Sequence, residues 1–207
     1  IPAPTATPMP TATPVPTAIP TPITVKTDPY LTASAKKTSI TLKWSKIAGA
    51  DGYRIYGAKC GKSFKLVKTI KNGNTVKWTQ KGLKAGTYYK YYVIGYKTVN
   101  GKPVTISRTA NIHMPTTGKG LGYAKTLKLN KKKITIAKGK SAKIKATVTY
   151  TNDNLRKHVP ALRYLSSDKK IATVNSKGVI KGKKKGTCTI YCYTQNGLCK
   201  KVKVKVK

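Results

Sequence analysis

The chain has 207 residues, with 43 Lys or Arg against 4 acidic side chains and a formal charge of +39. The acids are Asp28, Asp51, Asp153 and Asp168, Glu is absent, and the histidines are His113 and His158. So few carboxylates and imidazoles leave little material for a paired-carboxylate hydrolase, a calcium cage or a histidine-rich zinc site. No catalytic residue, metal site or cofactor is therefore expected, and no apolar run is long enough to enter a membrane as a helix.

Residues 1–22 hold eight Pro, six Thr and four Ala and no charge. Proline fixes φ and removes a donor, so this stretch is expected to be a disordered, extended linker rather than part of a sheet. At full extension it would reach on the order of 70 Å. Its Pro-Thr alternation resembles the linkers of secreted bacterial multidomain proteins. The chain begins at Ile1 with no signal-peptide features, so it is expected to be a piece of something longer.

Residues 23–116 read as a first all-β domain of about seven strands. Ile40, Leu42 and Trp44 alternate with Thr41 and Lys43, as in a half-buried strand. Tyr53 to Tyr56, Phe64 to Ile70 and Thr75 to Thr79 follow, with the hairpin signal Asn72-Gly73 between the last two. A tyrosine-rich strand runs from Tyr88 to Tyr96, and Asn100-Gly101 turns the chain toward Ile106 and Ile112.

Trp44, the string Gly52-Tyr53-Arg54-Ile55-Tyr56, and Leu83 to Tyr89 running into Tyr91 and Val93 together resemble a fibronectin type III domain. The resemblance implies that Tyr89 bonds back to the backbone near Leu83 and that Gly86 takes a positive φ. Ala85 stands where that family often has Pro, and its cell-adhesive Arg-Gly-Asp is absent.

Strand parity sorts the aromatics. With Tyr89, Tyr91, Val93, Tyr53 and Ile55 inward, Tyr56, Tyr88, Tyr92 and Tyr96 are expected to surround Arg54 on the outer face. Such a platform suits stacking on sugar rings or a partner surface. The same residues also suit simple cross-strand pairs stabilising a two-sided sheet.

Residues 117–122 read as a short hinge, and residues 123–207 as a second sandwich. The string Ser167-Asp168-Lys169-Lys170-Ile171-Ala172-Thr173-Val174, followed by Gly178, Ile180, Gly182 and Gly186-Thr187, resembles the bacterial immunoglobulin-like domain, group 2, of the intimin and invasin type. The family implies a small β-sandwich of surface or secreted proteins, and here Gly178 would close a hairpin between Val174 and Val179.

Cys60 stands apart, whereas Cys188, Cys192 and Cys199 cluster near the last hairpin, an odd number for internal pairing. Either Cys192 bridges to Cys199 or all remain thiols, with Cys188 and Cys192 sharing the core face with Ile190. A two-residue Asn196-Gly197 turn would put Val202, Val204 and Val206 on the wrong face, so a bulge or an odd-length loop is required.

Both domains are basic: 18 cations against 2 acids in residues 23–116, and 25 against 2 in residues 117–207. Singly, such lysines are solvated side chains that discourage edge pairing. Together they repel one another and call for an anionic neighbour, with Lys181, Lys183, Lys184 and Lys185 the densest cluster. Arg is scarce and no nucleic-acid motif appears, so specific nucleic-acid reading is not expected.

The expected architecture is thus two tandem immunoglobulin-like β-sandwiches behind a Pro/Thr-rich linker. The expected role is a non-catalytic, monomeric, extracellular or cell-surface region that spaces upstream domains and holds them near an anionic cell-wall polymer or polysaccharide. The alternative is a carbohydrate-binding accessory region of an upstream glycoside hydrolase.

Overall fold

A computed structural model describes residues 26–28, 30–118, 120–155 and 160–207, so the Pro/Thr-rich segment lies outside the described residues. No helix occurs among them. In the first half, β1 (Lys26–Asp28), β4 (Gly52–Lys59), β5 (Lys65–Ile70), β7 (Tyr88–Val99), β8 (Lys102–Thr109) and β9 (Ile112–Pro115) make one sheet. Its order is β1-β8-β7-β4-β5, with β9 also on β7. The facing sheet is β2 (Leu31–Ala35), β3 (Ile40–Trp44) and β6 (Lys77–Gln80).

Side-chain alternation builds the core between these sheets. Ile40, Leu42 and Trp44 are buried while Lys43 is exposed, as the period of two requires. Tyr53, Ile55, Tyr89, Tyr91 and Val93 meet them from the larger sheet. Complete burial of a side chain such as Ile40, Leu42 or Ile55 contributes roughly 1.5–3 kcal/mol. The inward tyrosines keep their hydroxyls satisfied. Tyr53 Oη donates to the Gly73 carbonyl at 3.0 Å and accepts from the Ile47 amide at 3.1 Å. Tyr91 Oη donates to Gln80 Oε1 at 2.9 Å, and the Lys84 amide donates to Tyr89 Oη at 3.0 Å. Gly86 has φ 58°, a conformation that costs glycine little. Strand β2, whose small inward residues Ala33 and Ala35 give a weak pattern, was not anticipated.

The second half contains β10 (Ala124–Leu129), β11 (Lys133–Ile136), β12 (Ser141–Lys143), β13 (Ala146–Tyr150), β14 (Leu162–Ser166), β15 (Ala172–Val174), β16 (Val179–Gly182), β17 (Gly186–Thr194) and β18 (Cys199–Val206). They form sheets β11-β18-β17-β14, β12-β16-β15 and β10-β13. Ile134, Ile136, Ile144, Ile180, Cys188, Ile190 and the three valines of β18 share its core. Gly178 closes the β15–β16 hairpin at φ 75°.

The β17–β18 loop is odd in length, as the valine parity demanded. Ile190 pairs with Val202 and Tyr193 with Cys199, and the Thr194 amide donates to the Leu198 carbonyl, so Gln195, Asn196 and Gly197 form the tip. This register places Cys199 opposite Tyr193, whereas Cys192 lies opposite Lys200 on the buried face. Neighbouring positions point to opposite faces, so Cys192 and Cys199 do not bridge, and both remain thiols.

That tip docks on the first sandwich. The Ala33 amide donates to the Asn196 carbonyl at 3.2 Å and the His113 amide to the Gln195 carbonyl at 2.8 Å. Asn196 is buried, its side-chain amide donating to the Ala124 carbonyl at 2.9 Å. Tyr30 meets Tyr191 edge to face at 5.8 Å. The stretch expected to be a hinge is also tied down. Thr117 donates to the Lys36 carbonyl, Tyr88 Oη donates to the Gly122 carbonyl, and Tyr123 packs on the first core. The two sandwiches therefore meet through backbone hydrogen bonds at the loop tip and through the connecting segment itself.

Gly197 makes this docking possible. Its φ is 91°, and an added Cβ would stand 1.8 Å from the Leu31 carbonyl oxygen. Gly197→Ala is expected to destabilise the chain by roughly 2–3 kcal/mol and to separate the melting of the two halves in calorimetry. An unchanged melting profile would show that the close approach does not hold the domains.

Burial pushes the Cys192 thiol up to about 11, a nearby Tyr164 hydroxyl opposing, and pushes the Tyr164 hydroxyl up to about 12. The unfolded thiol, near 9.0, releases its proton first, so the folded state loses stability as pH rises from about 9 to about 11. Urea titrations across that window should show a shallower fall for Cys192→Ala than for the native chain. Identical slopes would exclude the buried thiol as a contributor.

Candidate functional site

The outer face of the larger sheet in the first sandwich carries the expected aromatic set, arranged differently from a flat platform. Tyr56 on β4 lies directly opposite Tyr92 on β7, and their rings stack at 4.8 Å with 8° between planes. Arg108, on the far side of β7, stands 4.0 Å from the Tyr92 ring centroid. Tyr92 is thus held from both sides, while Phe64 meets it edge to face at 4.8 Å and Lys90 covers Phe64 at 4.4 Å. Contacts of this kind add about 0.5–1.5 kcal/mol each beyond burial. Tyr56, itself half-buried, ends the row beside the half-exposed Leu66 on β5.

Tyr88 is not part of that row. It is only 6% exposed, and its hydroxyl is bonded at the domain junction. Tyr96 is covered too, at 8% exposure, beneath the Arg54 guanidinium 5.6 Å from its ring centroid. Sequence parity placed both on the outer strand face, but it could not see the connecting segment over Tyr88 or the arginine lying on Tyr96. Phe64, Leu66, Lys90 and Arg108 join the face unanticipated. Arg108 depends on the β7–β8 bulge between Gly95 and Tyr96, and Leu66 on the bulge between Ile55 and Tyr56; neither bulge has a sequence mark.

Beyond Tyr96 the face opens into a groove of about 340 Å³ lined by Asp51, Arg54, Thr69, Lys71, Tyr96, Thr98 and Pro103. The Thr98 amide donates to Asp51 Oδ2 at 2.6 Å, which anchors this carboxylate to backbone. Arg54 Nε is buried without a hydrogen-bond partner among the described residues.

Lys181, Lys183, Lys184 and Lys185 are all exposed, at and after β16. Lys185 converges with Lys205 and Lys207 on a second groove, of about 420 Å³, beside Gly186 and Val206. The exposed Lys201, Lys203 and Lys205 of β18 alternate with buried valines, so from Lys201 to Val206 the cationic and apolar faces of this strand are separated.

A pairing that the sequence hid lies near the junction. Cys60 Sγ and His113 Nδ1 are 3.3 Å apart, brought together because the Cys60 amide bonds Tyr88 and His113 pairs with Lys90. Burial pushes this thiol up to about 11, with Lys90 opposing. Nucleophilic catalysis uses a thiolate near neutral pH, and this environment favours the protonated thiol. Among the described residues no cluster of three or more His, Cys or acidic side chains is placed to hold a metal ion.

Comparison with known proteins places these observations. The chain is 41% identical over 71 residues to a kappa-carrageenase of Pseudoalteromonas carrageenovora, a stretch covering 34% of this chain and 17% of that protein. The chain thus spans about a sixth of that relative's length. A solved structure described as a myokine structure aligns with 13% identity and a TM-score of 0.38, over 46% of this chain and 100% of its own, a likeness too slight to carry an argument. Residues 123–206, the second sandwich with its docking loop and lysine-lined groove, match the family of bacterial Ig-like domains, group 2.

Proposed function

We propose that the chain is a non-catalytic accessory region of a secreted or cell-surface bacterial protein, holding upstream domains against an anionic wall polymer or acidic polysaccharide through distributed lysine charge. The observation that carries this reading is the unneutralised charge. Asp51 and Asp168 spend carboxylate oxygens on the backbone amides of Thr98 and Lys170 rather than on lysines. Four acids cannot neutralise 43 cations, so the exposed lysines of β18 and of 181–185 face solution and its anions, Lys201 apart, whose ammonium lies over the Tyr30 and Tyr191 rings. A potential of this size raises the local concentration of polyanions over the whole surface.

The first sandwich is read as a fibronectin type III domain, and the buried Trp44, the Lys84-to-Tyr89 bond and the positive φ of Gly86 support that. The docked loop tip suits a spacer, since tethered sandwiches transmit position better than freely jointed ones.

A carbohydrate-binding accessory region of an upstream glycoside hydrolase is the second reading. The likeness to a relative named for action on carrageenan favours it, as does the row of Tyr56, Tyr92 and Phe64.

Retention of the chain on isolated cell walls is expected to fall about tenfold or more between roughly 0.05 M and 0.5 M salt, because screening shortens from beyond a side chain's reach to a few ångströms. Retention that is indifferent to salt would remove the electrostatic reading and leave the carbohydrate one. Under that second reading Tyr56→Ala lowers retention at high salt with little change in melting temperature, since Tyr56 is half-buried at the end of the row and, among the described residues, stacks on Tyr92 alone.

A further inference from the structure

We propose that the groove beside Tyr96 seats one oxyanion substituent, a carboxylate or a sulfate ester, of an acidic polysaccharide, with Arg54 as the anchoring cation. The inference rests on the reading above that the ligand is an anionic polysaccharide, and it adds a specific seat to what is otherwise diffuse attraction.

The arginines separate this position from the rest of the charged surface. Arg108 donates through Nη2 to Asn111 Oδ1 at 2.8 Å; Arg163, whose Nε is also buried without a partner among the described residues, donates through Nη2 to the Thr194 carbonyl at 3.3 Å. Arg54 has no acceptor among the described residues, although its Nε is buried and its guanidinium lies on Tyr96. A guanidinium that is held in place, partly desolvated and without an acceptor is costly alone. An oxyanion in the groove that accepts from the two Nη groups offsets part of that cost with charge-assisted bonds.

The rest of the lining fits the same chemistry. Lys71 adds a second cation at the groove, and Thr69 and Thr98 add hydroxyl-bearing side chains. Asp51 is the one acid in the lining; its Oδ2 is committed to the Thr98 amide, so an incoming anion is directed toward the Arg54 and Lys71 side. Pro103 supplies an apolar wall for the C–H face of a sugar ring. Nucleobases find less here. Tyr96 already carries Arg54, Tyr92 is sandwiched by Tyr56 and Arg108, and Phe64 is covered by Lys90, so the faces a base would stack on are largely occupied.

The test uses the whole chain, titrated calorimetrically at about 0.15 M salt, where diffuse surface attraction is damped. The probes are a short oligogalacturonate, a short sulfated galactan oligosaccharide, the same galactan after desulfation, and oligothymidylate. One of the two acidic saccharides is expected to bind and the desulfated galactan not to, and whichever binds identifies the oxyanion. Arg54→Gln should weaken binding about tenfold or more, and Arg54→Lys nearly as much, because an ammonium neither forks nor stacks as a guanidinium does. The exposed rim variant Lys71→Gln should cost about threefold, and Lys183→Gln, in the other sandwich, less than about twofold. Melting curves check that each variant folds, and Lys71→Gln carries the test if an Arg54 variant does not.

Binding by neither acidic saccharide overturns the proposal, as does Arg54→Lys matching the native chain or Lys183→Gln losing as much as Arg54→Gln. Arg54-dependent binding of oligothymidylate tighter than that of either saccharide also overturns it. Any of these leaves salt-sensitive wall retention untouched. Only a native chain that fails to bind walls at low salt removes the parent reading.

Discussion

Positive charge without internal neutralisation is the constraint under which this protein folds. With 43 cations and 4 acids, ion pairs cannot hold the tertiary structure, and every lysine brought inward would cost desolvation with no carboxylate to offset it. Stability has to come from apolar burial and backbone ladders, and the β-strand is the element that separates the two kinds of residue most cleanly. Strand β18 shows the solution in its simplest form, with valines on one face and lysines on the other. Two of the scarce acids are spent on backbone, Asp51 on the amide of Thr98 in β7 and Asp168 on the amide of Lys170 in a local turn, where a carboxylate accepting an amide hydrogen bond does more for the fold than a screened surface pair.

The same constraint explains how the two sandwiches are joined. An interface rich in side-chain charge would place lysine against lysine. The junction instead uses backbone groups of Ala33 and His113, the neutral Asn196, and aromatic contacts of Tyr30 and Tyr123. Glycine at 197 allows two main chains to approach more closely than any side chain permits. Tyr88, which sequence parity assigns to an open face, is consumed by this junction.

Cations on the outer face of the first sandwich are put to a second use. Arg108 and Lys90 lie over aromatic rings, which accept a positive charge without needing an acid. The row from Tyr92 to Phe64 is therefore mostly self-satisfied, and the chemically unfinished place is the neighbouring groove, where Arg54 has an aromatic floor and no acceptor among the described residues.

Much was legible before any coordinates. Alternation at Ile40, Leu42 and Trp44, the Tyr89 corner, the odd loop required by the β18 valines and the glycine string of the second sandwich all reflect local rules, a period of two or a turn that needs a positive φ. What the order of residues could not reveal depends on which strands become neighbours: the 3.3 Å approach of Cys60 to His113 across 53 positions, the covering of Tyr88 and Tyr96, and the gathering of Asp51, Arg54 and Lys71 around one groove. Strand character and facing are set by each segment's own covalent pattern. Adjacency in space is set by registers, bulges and a loop docking between distant segments, and those exist only once the sheets have closed on their cores.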